Sequence, residues 1–210
     1  MTIEGLEKEP EIAESIFGPR LALARSYTND LATRGEEFGL IGPRELPRLW
    51  SRHILNSALL APLLRRGVVG DIGSGAGLPG IVLAIARPDV NFVLIEPMER
   101  RADWLRHESA GLGLANVQVI QVRAEESRLV AQLDQVTARA VSALARLIPM
   151  SAPLVRAGGE LLFLKGATVV KEVELAKKSI RQARLTNVEV LVLGEGMVPE
   201  ATRVFRATVD

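Results

Sequence analysis

The chain has 210 residues, of which 48% are hydrophobic, 24% charged and 4% aromatic, and its formal net charge is +1. That length suits one well-buried domain, and the composition excludes a disordered or fibrous chain. With no cysteine and only two histidines, disulfides, thiolate metal sites and a cysteine nucleophile are excluded, and no metal centre is expected.

The N-terminus, MTIEGLEKEPEIAES, carries five glutamates in its first fourteen residues, where a secretion signal would be basic and then apolar. The apolar run Ile81 to Ala86 stops at Arg87-Pro88, far short of a membrane span. A cytoplasmic protein is expected, without a membrane partner. Further on, ELPRLWSRHILNSALLAPLL sets Leu46, Leu49, Ile54, Leu55 and Leu59 at helical spacing. This predicts a helical cap over residues 1–66, packed as part of the same domain on an α/β region over 67–210. Between 44 and 66 the chain holds Arg44, Arg48, Arg52, Arg65 and Arg66 with no acid after Glu45, which points to one basic face or to a solvated helix face.

From Val68 onward β-type and helical runs alternate: VVGDI then PGIVLAIA, NFVLIE then ERRADWLRHESAGLG, VQVIQV, QVTARAV, ALARLIPMSAPLVRAGG, and ELLFLKG. Such βαβ repetition predicts a mainly parallel sheet flanked by helices. A charged amphipathic segment follows, VVKEVELAKKSIRQARL, read as a solvated helix. Two further strands, VEVLVLG and TRVFRATV, are expected to add an antiparallel hairpin at the sheet edge.

The stretch VVGDIGSGAGLPG fits two loop patterns at once. Gly75, Gly77 and Gly80 make the G-x-G-x-x-G of a dinucleotide fold, whereas Asp71, Gly73, Gly75 and Gly77 make D-x-G-x-G-x-G. A dinucleotide would bring its diphosphate to the following helix N-terminus, where Asp71 would repel it. S-adenosyl-L-methionine carries no phosphate, and its amino and sulfonium cations would favour a carboxylate. Asp71 therefore argues for the sulfonium cofactor. The next acid, Glu96, ends the strand NFVLIE, where a carboxylate can accept from both ribose hydroxyls. Ala124 and Glu125, just past VQVIQV, are candidates to meet the adenine, though AEES also reads as a solvated turn.

Later strand ends carry cations instead: Arg123 after VQVIQV, Arg139 in QVTARAV, Lys165 closing ELLFLKG. Ligands of parallel sheets bind at the C-terminal strand edge, so the crevice should be acidic on its cofactor side and basic on its substrate side. Internal ion pairs explain the cations about as well, Arg123 with Glu125 or Glu126 and Lys165 with Glu160. His53 in WSRHILN reads most simply as a packed or capped residue, and Trp50 and Trp104 read as core.

These residues resemble the bacterial ribosomal RNA small subunit methyltransferase G family, also called glucose-inhibited division protein B. The likeness rests on LWSRHILNS, DIGSGAGLPGIVLA, VRAEE, ARAVSAL and LLFLKG, and runs from about Tyr27 to the C-terminus. The chain departs from many members at Asn56, where they carry Asp, and at NDLATRG, where they have Asn-Leu-Thr. The resemblance implies a Rossmann-like class I SAM-dependent methyltransferase that modifies N7 of one guanine in 16S ribosomal RNA. It implies cofactor contacts at Gly73, Leu78, Ala124, Glu125 and Arg139, and an RNA-facing surface around Arg123, Lys165, Arg52 and His53. A monomer acting on the rRNA or the small ribosomal subunit is expected. Guanine N7 has an in-plane lone pair and no proton, so no general base is required. Two other readings stay open: a small-molecule methyltransferase, and a non-catalytic RNA- or SAM-binding module.

Overall fold

A computed structural model describes residues 3–210. Two helices, α1 (Ile12–Phe17) and α2 (Leu21–Arg34), open the chain. They are followed by a 3-10 segment, Pro43–Arg48, and a π-helical stretch, Leu49–Leu55, which runs into one α-turn, α3 (Asn56–Ala58). The regular helix expected over this region is therefore replaced by irregular turns. Pro47 inside the 3-10 segment supplies no N–H, which favours a change of helix type there. The apolar spacing still works, since Leu49, Ile54 and Leu55 are all fully buried.

The strands are β1 (Val68–Ile72), β2 (Asn91–Ile95), β3 (Val117–Ile120), β4 (Leu133–Arg139), β5 (Val155–Lys165), β6 (Leu185–Leu193) and β7 (Thr202–Val209). They form one sheet in the order β3-β2-β1-β4-β5-β7-β6. The first five run parallel, and β7 inserts antiparallel between β5 and β6. The hairpin was expected at the edge, and its second strand is the inner one, with Lys165 of β5 opposite Arg203 of β7. Between the strands lie α4 (Gly80–Ala86), α5 (Glu99–Gly111), α6 (Leu144–Ser151), α7 (Val169–Leu175) and α8 (Lys177–Gln182). The single helix read over 169–185 is two, broken at Ala176.

Apolar residues cover both sheet faces. One cluster joins the N-terminal helices to α4, α5 and the sheet through Tyr27, Leu31, Trp104, Ile81 and Leu162. The other packs α6 and its neighbours on the opposite face, around Phe163, Phe205, Leu147 and Ile148. Trp50 and Trp104 are 3% and 1% exposed, in the core as read from their spacing. Both polar tips near the glycine loop are spent on it: Tyr27 Oη and Trp104 Nε1 donate to the Ala76 carbonyl at 2.8 and 2.9 Å. Tyr27 of the cap and Trp104 of α5 thereby jointly hold the loop. Truncation of either aromatic ring would cost about 3–5 kcal/mol and would release that carbonyl. Among the described residues no helix is long and apolar enough to cross a membrane.

Candidate active site

The glycine loop leaves β1 at Ile72 and reaches α4 through a cis Leu78-Pro79 bond. Its first turn hangs on β2, because the Gly73 N–H donates to the Ile95 carbonyl at 2.8 Å. Asp71 lies beneath the loop and is fully buried. Its carboxylate accepts from Ser74 Oγ at 2.6 Å, from Thr137 Oγ1 at 3.0 Å and from the Gly80 N–H at 3.1 Å. Burial pushes its pKa up to about 6, and the three donors oppose that rise. The electrostatic reading of Asp71 as a direct partner for a cationic ligand is thus corrected in one respect. The oxygens face Ser74 of the loop, Thr137 of β4 and the Gly80 N–H, and Asp71 does not line the cleft, so Asp71 shapes the turn.

Glu96 follows β2 and is 2% exposed, with Oε2 accepting from the Gly75 N–H at 2.9 Å and Oε1 from the Met98 N–H at 3.0 Å. A carboxylate has lone pairs to spare after two such bonds. Gly75 has φ +54°, and a Cβ built there would meet nothing closer than 3.7 Å, so a side chain would project into open space that the glycine keeps free. Gly77 differs: at φ +99° a Cβ would come within 2.5 Å of Ile81 Cγ1, so there the glycine serves packing.

Above the loop opens a cleft of ≈ 210 Å³. The loop lines it with Gly73, Ser74, Gly75, Ala76 and Leu78, and Leu40, Ile41, His53, Arg101, Arg139 and Ala140 complete the lining. A second, larger cleft of ≈ 580 Å³ lies beyond Arg139 and is lined by Arg52, Arg139, Lys165 and Arg203, with Asn56, Glu172 and Glu200. Arg139 and Ala140 belong to both. The Arg139 guanidinium donates to the Arg52 and His53 carbonyls at 3.2 and 3.3 Å and to Ser57 Oγ at 3.3 Å. Burial lowers its pKa to about 10, which leaves it charged in neutral solution.

The cations of the larger cleft are paired in unforeseen ways. Lys165, 10% exposed at its side chain, contacts Glu172 of α7 at 2.7 Å and the Ser142 carbonyl at 2.9 Å, while Glu160 is taken by Arg206 at 2.6 Å. The Lys165–Glu160 pairing that stood as the alternative along β5 is therefore not made, since successive side chains point to opposite sheet faces and Glu172 arrives from a helix. Arg52 reaches Glu200 at 2.7 Å, across the mouth of the cleft. Arg123 and Glu125 are exposed and Ala124 is buried, in the turn after β3, and none of them lines either cleft. Among the described residues Arg123 makes no ion pair with Glu125 or Glu126. Arg203, Glu45, Glu172, Glu200 and Tyr27 escaped sequence reading. Arg203 alone left a usable signal, as its register opposite Lys165 follows once the hairpin is placed beside β5.

The sheet order, the glycine loop at the end of β1 and an acid at the end of β2 define a Rossmann-like, class I SAM-dependent methyltransferase. Solved structures of that class superpose on the chain: a SAM-dependent O-methyltransferase from Thermotoga maritima, at TM-score 0.57 and 19% identity over 74% of this chain and 65% of that one, and a tRNA methyltransferase from Aquifex aeolicus, at TM-score 0.58 and 18% identity over 74% of this chain and 68% of that one. The family model for rRNA small subunit methyltransferase G matches residues 20–199, and the chain belongs to that family. It is 61% identical to the ribosomal RNA small subunit methyltransferase G of Leifsonia xyli subsp. xyli, over 98% of this chain and 99% of the relative. To the protein of the same name in Arthrobacter sp. it is 50% identical, over 96% and 94%.

The loop residues fit a cofactor of this class. The loop's share of the smaller cleft is mostly glycine, serine and alanine, the Glu96 carboxylate is bonded to the Gly75 N–H, and Gly75 keeps a space that any Cβ would fill.

Proposed function

We propose that this protein transfers a methyl group from S-adenosylmethionine to N7 of one guanine in 16S ribosomal RNA, without a general base. One observation carries the reading: Arg139 is the common wall of a glycine-loop cleft and a cation-lined cleft. A base entering from the cationic side reaches the cofactor side at that guanidinium. The larger cleft's ≈ 580 Å³ is enough for a nucleotide turned out of its stack. Arg52, Arg139, Lys165 and Arg203 would bind phosphate oxygens, which fix the RNA, while the cleft walls read the base.

When bound, S-adenosylmethionine supplies a methyl group activated by its sulfonium. The chain's own part is to bind and orient. Gly73, Gly75 and Leu78 offer backbone at close range, Glu96 has free lone pairs for the ribose hydroxyls, and Asp71 keeps the turn in shape. Holding acceptor and donor in line is a positioning effect worth several kcal/mol or about 7–11 at its fullest. Both ring nitrogens of His53, at 2.6 Å from Glu45 and 2.7 Å from Arg139, are engaged, so this imidazole is not free to take a proton from an acceptor. That supports an acceptor such as guanine N7, which has no proton to lose.

Incubation with labelled S-adenosylmethionine and either naked 16S rRNA or small subunits, followed by nucleoside analysis, tests the reading. Label in 7-methylguanosine is expected, with a single-turnover rate at saturating ligands that is flat between about pH 7 and 8.5. Label in another nucleoside overturns the N7 assignment. Turnover of a small acceptor with no dependence on salt overturns the RNA reading.

A further inference from the structure

Glu45, His53 and Arg139 form a continuous chain of hydrogen bonds between the N-terminal cap and the end of β4. His53, 13% exposed at its side chain, has Nε2 at 2.6 Å from Glu45 Oε2 and Nδ1 at 2.7 Å from Arg139 Nη2. A guanidinium nitrogen can only donate. Nδ1 must therefore accept, and the ring's one proton sits on Nε2, where the carboxylate accepts it in turn. Glu45 is itself fixed: Arg48 donates to Oε1 at 2.6 Å and to Oε2 at 3.1 Å, and Arg52 approaches at 3.9 Å. The Arg48 bonds first, and His53 after them, hold the carboxyl down at about 2, so it stays ionised.

We propose that Glu45 and His53 are positioning residues for Arg139: Glu45 fixes the Nε2–H tautomer of His53, and that tautomer holds the guanidinium at the wall between the two clefts. The proposal rests on the reading of that wall as the meeting point of methyl donor and RNA. It gives a task to two residues that the transfer itself leaves unused. The π-helical stretch Leu49–Leu55 makes the arrangement possible, since it presents the Arg52 and His53 carbonyls and the imidazole to the same guanidinium. Such widened turns recur at functional sites.

The arrangement has a built-in sensitivity to acid. A doubly protonated imidazole would set an Nδ1–H against an Arg139 N–H, and one of the two groups would have to turn away. The charged groups facing His53 are Arg139 from β4, Arg52 from its own helix and Glu45 from the 3-10 segment; behind them stand Arg48, Glu200 and the Tyr27 phenol near Arg139. Burial first, then Arg139, lowers the His53 pKa below its usual 6.5, and Glu45 opposes that fall. The neutral ring thus persists through neutral pH, and the contact fails only on the acid side.

Nitrogen NMR on the full chain labelled at histidine reads the tautomer directly, because His53 and His107 are the only histidines and His107→Gln assigns them. A neutral Nε2–H ring is expected at pH 7, kept in Glu45→Gln, whose amide oxygen still accepts, and lost to a mixture in Glu45→Leu. Affinity for a small-subunit rRNA fragment in the presence of S-adenosylmethionine gives the second measurement. Arg139→Ala and Glu45→Leu should each lose about fivefold or more, Glu45→Gln about twofold at most, and the double variant Arg139→Ala with Glu45→Leu no more than Arg139→Ala alone. As pH falls below 6.5 into the acid range, the wild type should weaken relative to His53→Asn, whose side-chain oxygen replaces Nδ1 as acceptor and does not titrate. An Nδ1–H ring at pH 7, losses that multiply in the double variant, or an acid limb unchanged in His53→Asn would each overturn the proposal. A wild-type protein that binds no rRNA overturns the functional reading instead, and the tautomer in Glu45→Leu against Glu45→Gln still decides whether Glu45 sets the ring.

Discussion

On the glycine-loop side of Arg139, Asp71 and Glu96 are 0% and 2% exposed, and donors from the loop backbone, Ser74 and Thr137 occupy their oxygens. On the other side, Arg52 is half-exposed and is held by an exposed acid, Glu200, while Lys165 is held by Glu172. The loop acids are part of the fold, bonded to groups that cannot leave. Among the cleft cations Arg52 is held by a side chain that can turn away, and a phosphate could take the place of the Glu200 carboxylate, whereas Lys165 is also tied to the Ser142 carbonyl and its partner Glu172 accepts from the Leu144 N–H. On the proposed reading the loop half is thus preorganised for its cofactor, and at Arg52 the other half would exchange a carboxylate for a phosphate when RNA arrives.

The sharpest way to break this contrast is at Asp71. Asp71→Ala strands three donors in a buried site, and at about 1 kcal/mol or more for each the protein should lose about 3 kcal/mol of stability, together with its affinity for S-adenosylmethionine. Urea unfolding and calorimetry measure the two. A variant that loses cofactor affinity with full stability would return Asp71 to direct ligand contact. Glu96→Ala should be milder, weakening S-adenosylmethionine by about 1–3 kcal/mol without unfolding the chain. Unchanged affinity by calorimetry would remove Glu96 from the site.

On the cleft side the effects should be smaller and should depend on salt. Lys165→Ala and Arg203→Ala should each make the salt slope of RNA affinity shallower by about one unit, with S-adenosylmethionine affinity barely changed. Glu200→Gln removes the acid that holds Arg52 and should tighten RNA binding by about 0.5 kcal/mol at low salt, an advantage that fades as salt rises. A weaker complex in Glu200→Gln would mean that the Arg52–Glu200 bridge shapes the bound state.

The same contrast sets what could be read from sequence. Local pattern suffices for the alternation after Val68, for the turn Gly73–Gly77 and for the acid after β2, because strand period, loop glycine and strand end are all short-range. Placement of Arg139 at a strand end was legible for the same reason. The side of the sheet on which Asp71 spends its oxygens was not, because the donors come from Thr137 and Gly80 as well as from the loop. Glu172 and Glu200 were missed since each meets its cation from another element. Glu45 reaches His53 eight residues on only because the intervening chain is 3-10 and π-helical, a departure from regular spacing that no periodicity announces.

Glu108 offers the smallest and most specific test, because it is an acid on the loop side without the donors that Asp71 and Glu96 enjoy. It sits on α5, 3% exposed, and its nearest cation is Arg34 at 3.9 Å. Burial first, then Asp30, raises its pKa from 4.5 to about 7, and Arg34 opposes the rise. The folded carboxyl therefore holds its proton more tightly than the unfolded one. Its contribution is fully present below about pH 4.5 and is lost as pH rises through about 7. Glu108→Gln keeps the shape and removes the charge, so it should stabilise the protein at pH 8 by a melting-temperature rise of about 2 °C and by about half of that or less at pH 5.5. Thermal unfolding at the two pH values checks this. An equal shift at both would mean that the glutamate is already ionised at pH 5.5, and that Arg34 supplies for Glu108 what backbone N–H groups supply for Glu96.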